Sequence, residues 1–141
     1  MKSTTLVAAL LLAAAAVLAP VASHAQGAKH HLVLQVSDND PGKWNLALNN
    51  AENVQEALGK ANVEVEIVAY GPGLNMLKAD SKVAPRLNKA LDDNVTLLAC
   101  ATTMKKMKVT QADLAGGTKV VPGGIIHIMQ RQKEGWNYVR P

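Results

Sequence analysis

From His31 onward, apolar and polar positions fall into short blocks, and the blocks change period as they go. His31 to Ser37, HLVLQVS, is short and apolar and is closed by DNDPGK, which predicts a buried strand. Trp44, Ala47, Leu48, Ala51, Val54 and Leu58 then recur at helical spacing, with Gly59 as a stop signal. Val63 to Tyr70, VEVEIVAY, alternates and then turns apolar, a second strand closed by Gly71-Pro72-Gly73 read as a turn. Ser81 to Asp93 predicts a helix with Val83, Leu87, Ala90 and Leu91 inward and Pro85 in its first turn. Val95 to Ala99 is a third strand of the fully buried kind, followed by a short helix from Thr102 to Lys108. Thr110 with Asp113 has the spacing of an N-cap and its partner. Lys119 to Val121 is a short fourth strand, Gly123 to Glu134 a helix, and Trp136 to Arg140 a last strand.

Strands separated by helices pair in parallel, because a parallel connection needs a crossover of a dozen or more residues. Near-continuous apolar strands agree, since a parallel sheet is covered on both faces. The expected fold is an α/β protein: a three-layer α/β/α sandwich around a mostly parallel sheet of about five strands. Strand order is not legible at this level. Ligands in such sheets bind at the carboxyl ends of the strands. SDNDPGK, YGPGLN and CATTMKK occupy those ends here.

The first 25 residues change the picture of where the protein works. Lys2 is followed by an uncharged apolar run from Leu6 to Ala19, then Pro20, then Ser23-His24-Ala25 with small residues at the −3 and −1 positions of a cleavage site. That is the pattern of a signal peptide over residues 1–25. The run is shorter than the roughly 20 residues that a membrane-spanning helix needs. The expectation is a periplasmic protein with no membrane association after signal cleavage and a single domain over residues 26–141, a suitable length for one packed core. The formal net charge of +4, one unit of it from Lys2, is too mild to imply nucleic acid, and two Trp, two Tyr and no Phe provide no stacking platform.

The single cysteine, Cys100, forms no internal disulfide and no Cys-x-x-Cys pair, which excludes dithiol chemistry. It stands where the third strand gives way to a helix. Backbone N–H groups there, with Lys105, Lys106 and Lys108 nearby in sequence, lower a thiol's pKa and raise its thiolate fraction. Equally, cysteine is a small hydrophobe that strand ends bury. Cys100, Met104 and Met107 also share one helical face, a soft-donor set suited to copper(I), although methionines at this spacing commonly fill cores. His30 and His31 suit a solvated strand start, and His127 a satisfied, partly buried site. Gly71 to Gly73 lacks the spacing of a phosphate loop. Asp38, Asn39 and Asp40 suit a turn that caps the next helix. Among the candidates there is no Ser-His-Asp arrangement, no HExxH and no catalytic carboxylate pair, and no cofactor is expected.

VTLLACATTMKKMKVTQADL, followed by VVPGGI and the ending EGWNYVRP, resembles the DsrE/DsrF-like family, and specifically its small stand-alone branch. The resemblance runs from about His31 to Pro141. It implies a compact α/β/α fold and homo-oligomers, commonly trimers or hexamers. In sulfur-relay members a cysteine after a central strand carries sulfur as a persulfide, and Cys100 stands at the matching place. On that reading Thr102, Thr103, Asn39, Gly71 and Gly73 would line a crevice that holds a small sulfur-containing anion or receives a protein sulfur donor. The alternatives are copper(I) capture by Cys100, Met104 and Met107, or a non-catalytic oligomeric binding protein.

Overall fold

The computed structural model describes residues 29–141; the expected signal peptide lies outside the described residues. Five strands form one parallel sheet: β1 (His30–Val36), β2 (Val63–Ala69), β3 (Thr96–Cys100), β4 (Lys119–Val121) and β5 (Asn137–Val139). Their order is β4-β3-β2-β1-β5. The helices are α1 (Pro41–Leu58), α2 (Ala84–Asp92), α3 (Ala101–Met107) and α4 (Gly124–Lys133), with 3-10 helices at Gly71–Leu77 and Gln111–Asp113. The expected three-layer α/β/α architecture is present.

The two faces of the sheet are unequally covered. One face carries the larger core, in which Leu32, Leu34 and Val36 of β1 meet Trp44, Ala47, Leu48 and Ala51 of α1, Leu87 of α2 and Met104 of α3. The other face carries Val33, Val68, Leu98 and Val121 under Ile128 of α4 and Trp136. So, among the described residues, α1, α2 and α3 lie on one side and α4 lies alone on the other. Period-two alternation along each strand sends neighbouring residues to opposite cores. The outer side of α4 leaves Ile125, Ile126 and Met129 exposed.

Local chemistry explains where the elements begin and end. Asp40 caps α1 by accepting from the Gly42 N–H at 2.8 Å, and Gly59 closes it at φ +86°. Of the apolar stripe predicted for α1, Leu58 at the last position is exposed. The helix expected from Ser81 begins instead at Ala84, because Pro85 has no N–H and must sit in the first turn. Thr110 and Asp113 form a full capping box around the second 3-10 helix. The Gly71-Pro72-Gly73 stretch is the largest departure from expectation. It is the start of a seven-residue 3-10 helix whose Leu74, Met76 and Leu77 are fully buried, not a simple turn.

Candidate functional site

The chain's connections locate a crevice before any side chain is considered. β3 is followed by α3 on the larger-core face, and β4 by α4 on the opposite face. Adjacent parallel strands whose following segments leave to opposite faces open a gap at their carboxyl ends, where α/β proteins bind ligands. Cys100 is the last residue of β3 and pairs with Val121, the last of β4. The sequence placed this cysteine just past the strand; the structure makes it the strand's final residue, and so puts it at the gap.

The alternation of β3 turns the Cys100 side chain toward the α4 face, the side of Leu98. Gly124 opens α4 there, and a Cβ on it would lie 3.0 Å from the Tyr70 Cβ and 3.3 Å from the Cys100 Cβ. Only glycine lets the helix start come this close to the thiol. Thr103 receives the Gly71 N–H on its Oγ1 at 2.9 Å. Burial pushes the Cys100 thiol up. Hydrogen bonds from the Thr103 hydroxyl and from the backbone N–H groups of Gly124, Thr103 and Thr102 outweigh it, so the thiol lies below its ordinary value. The residue is buried, only 5% exposed.

Tyr70 holds its proton above the usual phenol range, through burial first and then the nearby Tyr138. Beyond it, the Tyr138 hydroxyl donates to Gln35 Oε1 at 2.6 Å, and Arg140 reaches Asp38 at 3.3 Å. A hollow of about 560 Å³ opens beside the site, lined by Tyr70, Gly71, Pro72, Asn75, Thr103, Lys106 and Met107. Tyr70 and Thr103 therefore serve both the thiol and the hollow.

The remaining sequence candidates sort clearly. Thr102 is exposed and donates to the Pro122 carbonyl at 3.1 Å, tying the two loops of the crevice together. Gly71, at φ +54°, borders the hollow. Gly73 does not line it: it is buried, and a Cβ there would stand 2.3 Å from the Val36 carbonyl oxygen. Asn39 faces a separate hollow of about 330 Å³ shared with Pro41, Trp44, Lys78 and Ser81. The thiol and thioethers of the copper reading are not gathered at one point. Met104 is packed in the larger core, on the opposite face from the thiol, and Met107 lies exposed on the hollow's rim. The helical spacing that suggested a shared face is broken because Cys100 belongs to a strand.

Comparison with known proteins bears on the family and the fold. Residues 30–141 match the DsrE/DsrF-like family. The chain belongs to the DsrE/DsrF-like family. A solved protein of unknown function from Methanobacterium thermoautotrophicum is similar at 32% identity and a TM-score of 0.77, covering 80% of this chain and 100% of that one. A conserved protein of unknown function from Bacteroides thetaiotaomicron (16% identity, TM-score 0.64, 79% and 94% covered) shares the fold. So does the ychN protein from E. coli (13% identity, TM-score 0.65, 81% and 99% covered). No curated protein matches the chain. In this DsrE/DsrF-like chain, sequence reasoning missed Tyr70 and Gly124 at the thiol. YGPG hinted at the first only as a strand end. Gly124 carried no signal beyond opening a helix, because its role depends on which face α4 takes.

Proposed function

We propose that this protein accepts sulfane sulfur on Cys100 and carries it as a persulfide. The observation that supports this most is the place of Cys100 at the parting of β3 and β4, against Gly124 at the start of α4, with the Thr103 hydroxyl and the first N–H groups of α3 and α4 as the causes that lower its thiol. Such donors favour the thiolate, which is the attacking form. In the transfer, the thiolate attacks the outer sulfur of a persulfide, polysulfide or thiosulfate donor. A new S–S bond forms to Cys100, the donor's S–S bond breaks, and the donor leaves with the electron pair as a thiolate, a shorter polysulfide or sulfite. Charge is conserved and no external oxidant is needed. The same N–H groups then stabilise the negative charge of the bound persulfide.

Two further features belong to this reading. Export to the periplasm is supported by the apolar run and small-residue exit of residues 1–25. Homo-oligomer formation is supported by the exposed Ile125, Ile126 and Met129 on the one helix that covers the second face. Intact mass measured after incubation with polysulfide or thiosulfate tests the transfer. The wild type is expected to gain one sulfur that a reductant removes, and Cys100→Ser to gain none. An unchanged wild-type mass with both donors refutes the reading.

A further inference from the structure

Glu66 is a carboxylate at the fourth position of β2, and its side chain is only 4% exposed. It does not touch the thiol. Its partners all come from α4: His127 Nε2 lies 2.7 Å from Oε2, Arg131 Nε donates to the same oxygen at 3.0 Å, and Arg131 Nη2 donates to Oε1 at 2.6 Å. Strand neighbours offer it no charge, since its register partners are Val33 on β1 and Thr96 on β3. Arg131 is further fixed by Glu134 at 2.7 Å and by the Trp136 ring 4.5 Å beneath its guanidinium. A buried carboxylate held in this bidentate way is specific in geometry, because losing one partner leaves the others desolvated and unpaired.

The first turn of the same helix meets Cys100. Gly124 is three residues before His127, and the His127 N–H returns to the Gly123 carbonyl at 2.9 Å. The clamp and the glycine that packs on the thiol are thus on one short helix. We propose that Glu66 is a positioning residue for the thiol: by clamping His127 and Arg131 it holds the start of α4 against the end of β3, where Gly124 packs against Cys100. The proposal rests on the reading of Cys100 as a reactive thiolate and adds what sets its reactivity. A small movement of α4 shifts Gly124 away from the thiol while leaving α3 in place.

The test is the rate of iodoacetamide alkylation of the native full chain against pH. The other charged or titratable groups around the thiol's end of the sheet are Tyr70, just after β2, Lys105 and Lys106 on α3, and His127 on α4; Tyr138, Arg140 and Asp38 stand around Tyr70. All are retained in the variants used. Glu66→Gln keeps the shape and loses the charge. It is expected to shift the alkylation midpoint to higher pH and to slow the reaction at neutral pH severalfold. Gly124→Ala, which pushes α4 off the thiol without touching the clamp, is expected to shift it the same way. Should Glu66→Gln not fold, Arg131→Lys removes one arm of the clamp and is expected to give a smaller shift in that direction. A clamp variant that is folded and has the wild-type profile, while Gly124→Ala is shifted, overturns the proposal and leaves the thiolate reading standing. A wild-type midpoint at the ordinary thiol value overturns the thiolate reading, and this proposal with it.

Discussion

Replacing Gly73 by alanine isolates the part of the structure that the sequence misled most. The added Cβ would lie 2.3 Å from the Val36 oxygen, 2.6 Å from the Val36 carbonyl carbon and 2.8 Å from the Ser37 Cα. Ordinary contact begins at 3.4 Å, so something must move by roughly 1 Å. All three atoms are backbone, and no rotamer change relieves them. The end of β1 is held by its ladder to β2, where Val36 pairs with Ala69. The 3-10 helix must therefore shift and carry the fully buried Leu74, Met76 and Leu77 with it. Overpacking costs about 1–3 kcal/mol, and a ~1 Å gap forfeits a quarter to a half of each lost dispersion contact, so the expected loss is about 3 kcal/mol or more. For a domain of this size that lowers Tm by on the order of 10–20 °C. The assay is a reversible thermal melt followed by circular dichroism, with urea titration to confirm the free energy. Gly71→Ala is the control: the space there is open, with the nearest atom at 3.9 Å, but φ is +54°. It is expected to cost about 1–2 kcal/mol, from backbone conformation alone. A Gly73→Ala protein melting within about 2 °C of wild type refutes the steric argument.

Cys100→Ser is expected to abolish sulfur uptake and to change Tm by no more than a few degrees, since a hydroxyl fits the same donors; a melt with both proteins checks this. The Glu66 carboxyl is held below its usual range: burial raises it, but hydrogen bonds from Arg131 and His127 more than offset that. A depressed carboxyl contributes stability that is present above its unfolded value of about 4.3 and is lost as pH falls through the folded one. Urea midpoints are therefore expected to drop as pH is lowered below about 4, with a flatter profile in Glu66→Gln. Ile128→Ala removes the fully buried side chain that seats α4 on the sheet. It is expected to cost about 2–5 kcal/mol in urea unfolding.

Much of the fold was legible because its signals are local. Helical spacing in Trp44, Ala47, Leu48 and Ala51, the Gly59 stop and the apolar strands fixed element type, and their alternation implied parallel pairing. The position of Cys100 at a strand end was legible for the same reason. What was not legible depends on tertiary placement. Gly73 looked like a turn glycine, yet it is needed because the end of β1 runs beside it. Met104 shared an apparent helical face with Cys100, yet the strand-to-helix change between them sends the two to opposite sides of the sheet. Glu66 interrupted an apolar strand with no partner in sight, because His127 and Arg131 lie 61 and 65 residues away in sequence. Tyr70 and Gly124 reach the thiol only through strand order, which propensity does not encode.

The account depends on a thiol that is both ionised near neutral pH and reachable. The alkylation rate of the native wild-type protein, followed by mass at Cys100 across pH, reports both. The account predicts labelling of the folded protein with a midpoint below the ordinary thiol value of about 8.5. A sulfur that reacts only after unfolding, or one whose midpoint lies at or above that value, contradicts it.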